Sequence, residues 1–333
     1  MPGDKFVNVE SVGAVAIVEQ ATVGIKNSSF LHVDAARCLV RDSIGIQKNY
    51  DQNADDEAKN TQKSTYRACV IGALFTSVAF FEASINEVFL DAVDCMPENA
   101  REKNDTRVNV PVSQVGSYRD GALSSDVVKT MAQMWLQQQK VKSDLHDLPR
   151  LVPQLSGSYP NNIEKYWSAI DKYQLALFLN EKRPICKCNK KRKDVQTLID
   201  FRNDLIHYKP GWSLSAPGGG ALEPVDDKIA KTKSRVGTLI KSDTHRPPGG
   251  YPHEKELLDS AYPNSCLSAA FAKLALQSIL QFDDEFSKRM RIDNAVTKFG
   301  LQQKMSEIPS LEGDTEGGTD YKVRCETTLE RRL

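Results

Sequence analysis

The chain has 333 residues, enough for one large domain or two ordinary ones and for a sizeable buried core. Its content, 40% apolar and 26% charged, is that of a soluble globular protein with polar extensions. Acids and bases number 44 each, so net charge is zero and points to neither nucleic acid nor a membrane surface; any electrostatic argument has to be local.

The first residues, MPGDKFVNVE, lack a basic stretch ahead of an apolar one, so no secretory signal is expected. Residues 5–25 are Val-rich and partly alternating, which predicts one or two short strands. A helix is predicted over 30–44, with Val33, Ala36, Val40 and Ile44 at helical spacing, followed by a polar linker at 48–63. The strongest helix, 64–95, is apolar almost all round and therefore central; Pro97 stops it. Its longest apolar run, CVIGALFTSVAFF, covers only residues 69–81. A bilayer span needs about 20 such residues, so a buried helix is expected and no membrane partner.

Residues 98–122 are polar and irregular, and two helices are predicted near 124–142 and 162–180. Pro184 breaks the chain before a helix at 190–208, which Pro210 and Gly211 end. A long Gly- and Pro-rich loop follows, interrupted by a short helix at 226–241. The last helix covers 263–290, with Leu267, Ala270, Phe271, Leu274, Ile279, Phe282 and Phe286 in its apolar stripe. Together these predict a mainly α fold in three parts. Residues 1–55 form an N-terminal extension with short strands and a helix, 56–300 an α-helical domain, and 301–333 a polar, mobile tail.

Seven cysteines stand at 38, 69, 95, 186, 188, 266 and 325, an odd and scattered set that predicts reduced thiols in a cytoplasmic protein. The close pair Cys186 and Cys188 has no second pair to complete a four-ligand zinc site, so an ordinary basic loop is expected there and no metal. No phosphate-cradling loop appears either: APGGGA lacks the Lys and the following helix that such a loop needs. No cofactor is expected.

Chemistry concentrates in DFRNDLIHYKP, residues 200–210. At about 100° per residue, Val195, Ile199 and Ile206 share one narrow face, with Leu198 and Leu205 beside it. Arg202 falls at the centre of that arc, Asn203 and His207 lie together at its edge, and Asp204 points to solvent. A guanidinium placed there either extends its head to water over an apolar stem or needs a partner. The other strong helix offers one. Val78, Glu82, Ile85 and Phe89 form a stripe with one acid inside it, and Asn86 lies one turn on. Contact between Glu82 and Arg202 is therefore expected. Just upstream, EKRPICKCNKKRKD (181–194) holds seven Lys or Arg against two acids, and Lys190, Lys191, Arg192 and Lys193 are candidates for contacts with a nucleic-acid backbone. The bland alternative is a solvated charged loop.

The run RNDLIH resembles the signature of the HEPN superfamily: an Arg, often a polar residue after it, and a His after four to six intervening residues, on a late helix; Arg202 and His207 have four between them. The long helix LFTSVAFFEASINEVF is similar to the first core helix of such domains, which often carries an acid where Glu82 stands. The resemblance covers roughly residues 60–290 and implies a helical bundle that dimerises with the motifs of two subunits face to face. Many members are metal-independent endoribonucleases of toxin–antitoxin, anti-phage or RNA-processing systems; others serve as binding or dimerisation modules. In one toxin branch the motif continues His-x-Tyr, with the Tyr modified by a partner enzyme. Here Tyr208 follows His207 directly and Lys209 holds that place, a departure from that mode.

The residue types suit RNA cleavage on their own account. His titrates near neutral pH and can move protons at the 2′-hydroxyl or the leaving oxygen. A fixed guanidinium can hold the charge that develops on the phosphorus oxygens. The expected assignment is His207 as acid–base residue, Arg202 as clamp and Asn203 as a third member of the catalytic set, with Glu82 and Asn86 in support. RNA is the expected substrate, with a homodimer and an antitoxin or defence partner implied by the resemblance. Two other readings stand beside it: a HEPN-like module without catalysis that binds a nucleotide or a partner, and a purely structural helical protein.

Overall fold

The computed structural model describes residues 28–94, 123, 125–136, 167–207, 227–242, 251–258, 262–292 and 308. Every regular element among them is helical. The predicted strands at 5–25, the irregular stretch at 98–122 and all of the tail except Ile308 lie outside the described residues, as do Tyr208 and Lys209.

Helix α1 (Ser28–Lys48) places Val33, Ala36, Val40 and Ile44 in the core, as the helical spacing of those four requires. It was expected to go with the N-terminal extension. It packs along α2 (Asp56–Asp94) instead and shares one continuous core with it. Gly72 lets the two helices approach: a Cβ there would stand 3.0 Å from the Leu39 side chain.

Helix α2 begins well before the predicted start. The polar segment read as a linker contains its own N-terminal signal: the Asp55 carboxylate accepts from the Ala58 N–H at 2.8 Å, and Asp56 and Glu57 face the positive end of the helix. From Tyr66 onward α2 buries one residue per turn or more, including Val70, Leu74, Val78, Phe81, Ile85 and Phe89. An 18-residue window of α2 reaches a mean hydropathy of 1.8, high enough by composition to cross a bilayer. The core helix of a bundle satisfies the same composition, and α2 is the hub here, touching α1, α3 (Ser125–Trp135), α4 (Ala169–Leu179), α5 (Lys190–Ile206) and α8 (Ala269–Met290).

Helices α4 and α8 close the core on α2. Each starts at a serine, Ser168 and Ser268, whose hydroxyl accepts a backbone N–H three residues on. Phe81, Tyr173, Phe282 and Phe286 meet where the three helices converge, with ring centroids 4.6–5.3 Å apart in stacked and edge-to-face pairs. Helix α6 (Asp227–Lys241) lies against α5 and buries Val236 and Leu239, and a short α7 (Glu254–Leu257) precedes α8. At the start of α8 the Tyr66 hydroxyl accepts from Ala269 N–H (2.8 Å) and donates to Gln47 Oε1 (3.0 Å), which ties α1, α2 and α8 together.

Candidate active site

Helix α5 starts at Asn189, whose side-chain oxygen accepts the N–H groups of Lys191 and Arg192 at 2.9 and 3.4 Å. Its buried face differs from the predicted one. Val195, Leu198 and Phe201 are fully buried and Leu205 packs behind them, whereas Ile206 is 49% exposed. The apolar arc therefore centres on Leu198, Phe201 and Leu205, spaced three and four apart, not on Val195, Ile199 and Ile206. Phe201 decides it, being the largest apolar side chain on the helix and meeting Phe271 of α8 edge-to-face at 5.4 Å. Asp204, expected in solvent, is half-buried and accepts from the Tyr262 hydroxyl at 3.2 Å.

With the arc turned, Arg202 stands at its margin, toward α2, and its Nη2 donates to Glu82 Oε1. The contact expected from the two stripes is made. Arg202 is 21% exposed and Glu82 42%, so the pair sits at the edge of the core rather than inside it. The Arg202 Nε is buried with no acceptor among the described residues. Asn86 does not join this pair: its Oδ1 accepts from Lys172 Nζ at 2.8 Å. Lys172 is itself buried on α4 and lies over the Trp135 ring at 5.5 Å.

His207 is the C-terminal cap of α5 and is exposed; its N–H donates to the Asn203 carbonyl at 2.9 Å. Among the described residues, no side-chain hydrogen bond joins Asn203 to the imidazole. Arg202 and His207 are five positions apart, so they point roughly 140° apart around the helix with a rise of about 7.5 Å. Ile206 lies between them.

The basic run is partly engaged within the protein. Lys190 pairs with Asp194 at 2.6 Å and Lys191 with Glu285 at 3.1 Å, while Arg192 Nη1 donates to the Ile185 carbonyl at 2.8 Å. Burial lowers the Arg192 guanidinium from its ordinary value. Hydrogen bonds from Arg289 and then Lys191 hold the Glu285 carboxyl below the usual range. Lys193 is exposed and has no ion-pair partner among the described residues. Cys186 and Cys188, expected as thiols in an ordinary loop, are joined as a disulfide just before the helix; Cys38, Cys69 and Cys266 are free. Among the described residues no three His, Cys, Asp or Glu side chains converge as metal ligands.

No family model, curated protein or solved structure matches the chain. The chemistry of the site therefore rests on its own residues. Sequence reasoning missed one notable group, Asp283 on α8. It is fully buried and accepts from Ser84 Oγ at 2.9 Å and the Tyr173 hydroxyl at 3.4 Å, and among the described residues its Oδ2 has no partner. Burial pushes its carboxyl from an ordinary 3.8 up to about 6. The only sequence signal was position: Asp283 follows Phe282 and precedes Phe286 by three, inside the buried arc of α8.

Proposed function

We propose that the chain is a HEPN-like, metal-independent endoribonuclease that acts in the cytoplasm as a homodimer. Its place would be in a toxin–antitoxin or anti-phage system, with a neutralising or defence partner. The observation that carries this reading is the arrangement on one helix end: a guanidinium oriented by a carboxylate from α2, and an exposed imidazole at the helix cap. His207 takes the proton from an RNA 2′-hydroxyl, whose oxygen attacks the adjacent phosphorus. The 5′-oxygen leaves with a proton from the second subunit's histidine, giving a 2′,3′-cyclic phosphate and a 5′-hydroxyl. Arg202 holds the non-bridging oxygens, Glu82 fixes the guanidinium and Asn203 contacts phosphate beside it. Lys190, Lys191, Arg192 and Lys193 add the positive potential that draws RNA to α5.

The roughly 140° between Arg202 and His207 supports a two-subunit site, since one copy turns its clamp and its proton carrier in different directions. The exposed Ile206 between them gives a second helix an apolar seat. The test is RNA incubated in chelator with the wild-type chain and with His207→Ala. A fall in cleavage rate of about 10²–10⁴-fold is expected for removing a general acid–base residue. Equal cleavage by both, or none by either across varied RNAs, removes the catalytic reading.

One observation favours a second reading, a catalytically silent HEPN-like module that binds a nucleotide or a partner. Glu82 already neutralises Arg202, which leaves less charge for a transition state. Absence of cleavage with retained dimerisation would favour it.

A further inference from the structure

An open cleft of about 730 Å³ lies between the start of α5 and α6. Lys187, Lys190, Arg192, Lys193 and Arg235 line it against a single acid, Asp194, which Lys190 already pairs. Asn189 occupies the first N–H groups of α5, so an anion in the cleft would be held by side chains and not by the helix end. Lys187 and Lys193 are exposed and have no ion-pair partner among the described residues. The hydroxyls of Thr238 and Ser242, also in the lining, donate to the carbonyls of Ser234 and Leu239, so the lysines are the free donors.

The cleft also lines up with the candidate active site. At about 100° per residue, Lys193, Gln196, Asn203 and His207 fall within one arc of roughly 80° on α5. Lys193, Gln196 and His207 are exposed and Asn203 is half-buried, so this arc is a polar strip from the cleft to the imidazole. Its one acid, Asp200, is covered: Arg235 pairs with it at 2.9 Å and Gln196 donates to it at 2.9 Å. A polyanion lying along the strip would meet no bare carboxylate among these residues. From Lys193 to His207 the rise is about 21 Å. That is about six nucleotides of a stacked strand at ~3.4 Å each, and fewer if the strand is stretched.

We propose that the α5–α6 cleft, through Lys187 and Lys193, is a remote phosphate subsite for single-stranded RNA lying along the α5 strip, so that substrates are bound as strands of about six nucleotides or more. This rests on the ribonuclease reading for the identity of the strand, and adds where the strand runs and how long it must be.

The full chain carrying His207→Ala, which keeps RNA intact, is titrated into fluorescein-labelled single-stranded RNA of 4, 8 and 12 nucleotides and followed by anisotropy. Affinity is expected to rise about tenfold or more from the 4-mer to the longer strands, with Lys187→Glu/Lys193→Glu abolishing the gain and lowering the salt slope by about 1.4, two contacts at ~0.7 each. Lys187→Gln/Lys193→Gln is a second variant that acts on the same cleft without reversing a charge, and thermal melts confirm that each protein is folded. Length-independent affinity, or a gain that both variants leave intact, overturns the proposal. Equal binding of a labelled polyglutamate also overturns it, since the cleft would then accept any polyanion. A wild-type chain that cleaves no RNA yet shows the length-dependent gain would retire the nuclease reading and leave the subsite standing. A chain that cleaves RNA without that gain would do the reverse.

Discussion

At the scale of single residues, the polar groups of this bundle fall into two kinds. Arg202 and Glu82 neutralise each other at the rim of the core, where water still reaches both. Among the described residues Asp283 has no cation paired with it and is held by two hydroxyl donors with one oxygen unpartnered, so its charged form is the costly one. Its carboxyl titrates near 6 in the folded protein against 3.8 ordinarily, so the folded state binds the extra proton between those values. The contribution of Asp283 to stability is therefore fully present below about 4, falls as pH rises to about 6, and is lost above that, by on the order of 3 kcal/mol. Asp283→Asn keeps an oxygen to accept from Ser84 and Tyr173 and removes the titration. Chemical denaturation at pH 7.5 is expected to show the variant more stable than wild type by about 2 kcal/mol, and the difference to vanish at pH 4. A variant less stable than wild type at both pH values would mean that the charged carboxylate has a partner.

At the scale of the element, α5 carries a conflict. Its first turn holds Lys190, Lys191 and Arg192 with no acid, at the helix end where the backbone dipole favours negative charge. Asn189 and the pairs with Asp194 and Glu285 offset that repulsion locally. Asn189→Ala is expected to lower stability by about 1 kcal/mol, read from the denaturation midpoint, because it uncaps a helix whose charges already oppose it. An unchanged midpoint would show that the lysine pairs alone hold the turn. Much of α5 was legible beforehand. Its start after Pro184, its end near His207 and the orientation of Arg202 toward Glu82 follow from spacing. The centre of its buried face did not, because Val195/Ile199/Ile206 and Leu198/Phe201/Leu205 are two apolar rows of similar quality. The choice between them depends on which neighbour receives Phe201, and that neighbour, Phe271, lies seventy residues away.

At the scale of the whole molecule, one core joins α1, α2, α4, α5 and α8, with α2 as its axis. The half-exposed Ile206, set between Arg202 and His207, is an apolar side chain that this core leaves uncovered. If two copies meet there, sedimentation at tens of micromolar should give a dimer. Ile206→Asp should then give a monomer with an unchanged melting temperature, since the position contributes little to the fold of one chain. A wild-type monomer at those concentrations would remove the two-subunit site.

The sequence by itself determined the helical class, the position of α1 by its four apolar residues, the central helix around Phe81 and Phe89, and the pairing of Glu82 with Arg202. The first three are written in local periodicity; the pairing followed from placing Arg202 inside the apolar row, and it holds although Arg202 stands at the margin of that row, where it still faces α2. The early start of α2 was legible in principle from Asp55 and Ala58, but a lone capping residue in a polar stretch is a weak signal against the absence of apolar periodicity. Tertiary structure alone decided the engagement of Asn86 by Lys172, the burial of Asp283, the Cys186–Cys188 bond and the cleft that α6 forms beside α5. Those depend on residues brought together from separate helices or on the path of a loop. Spacing along one chain fixes which face a side chain takes, but not what stands opposite it.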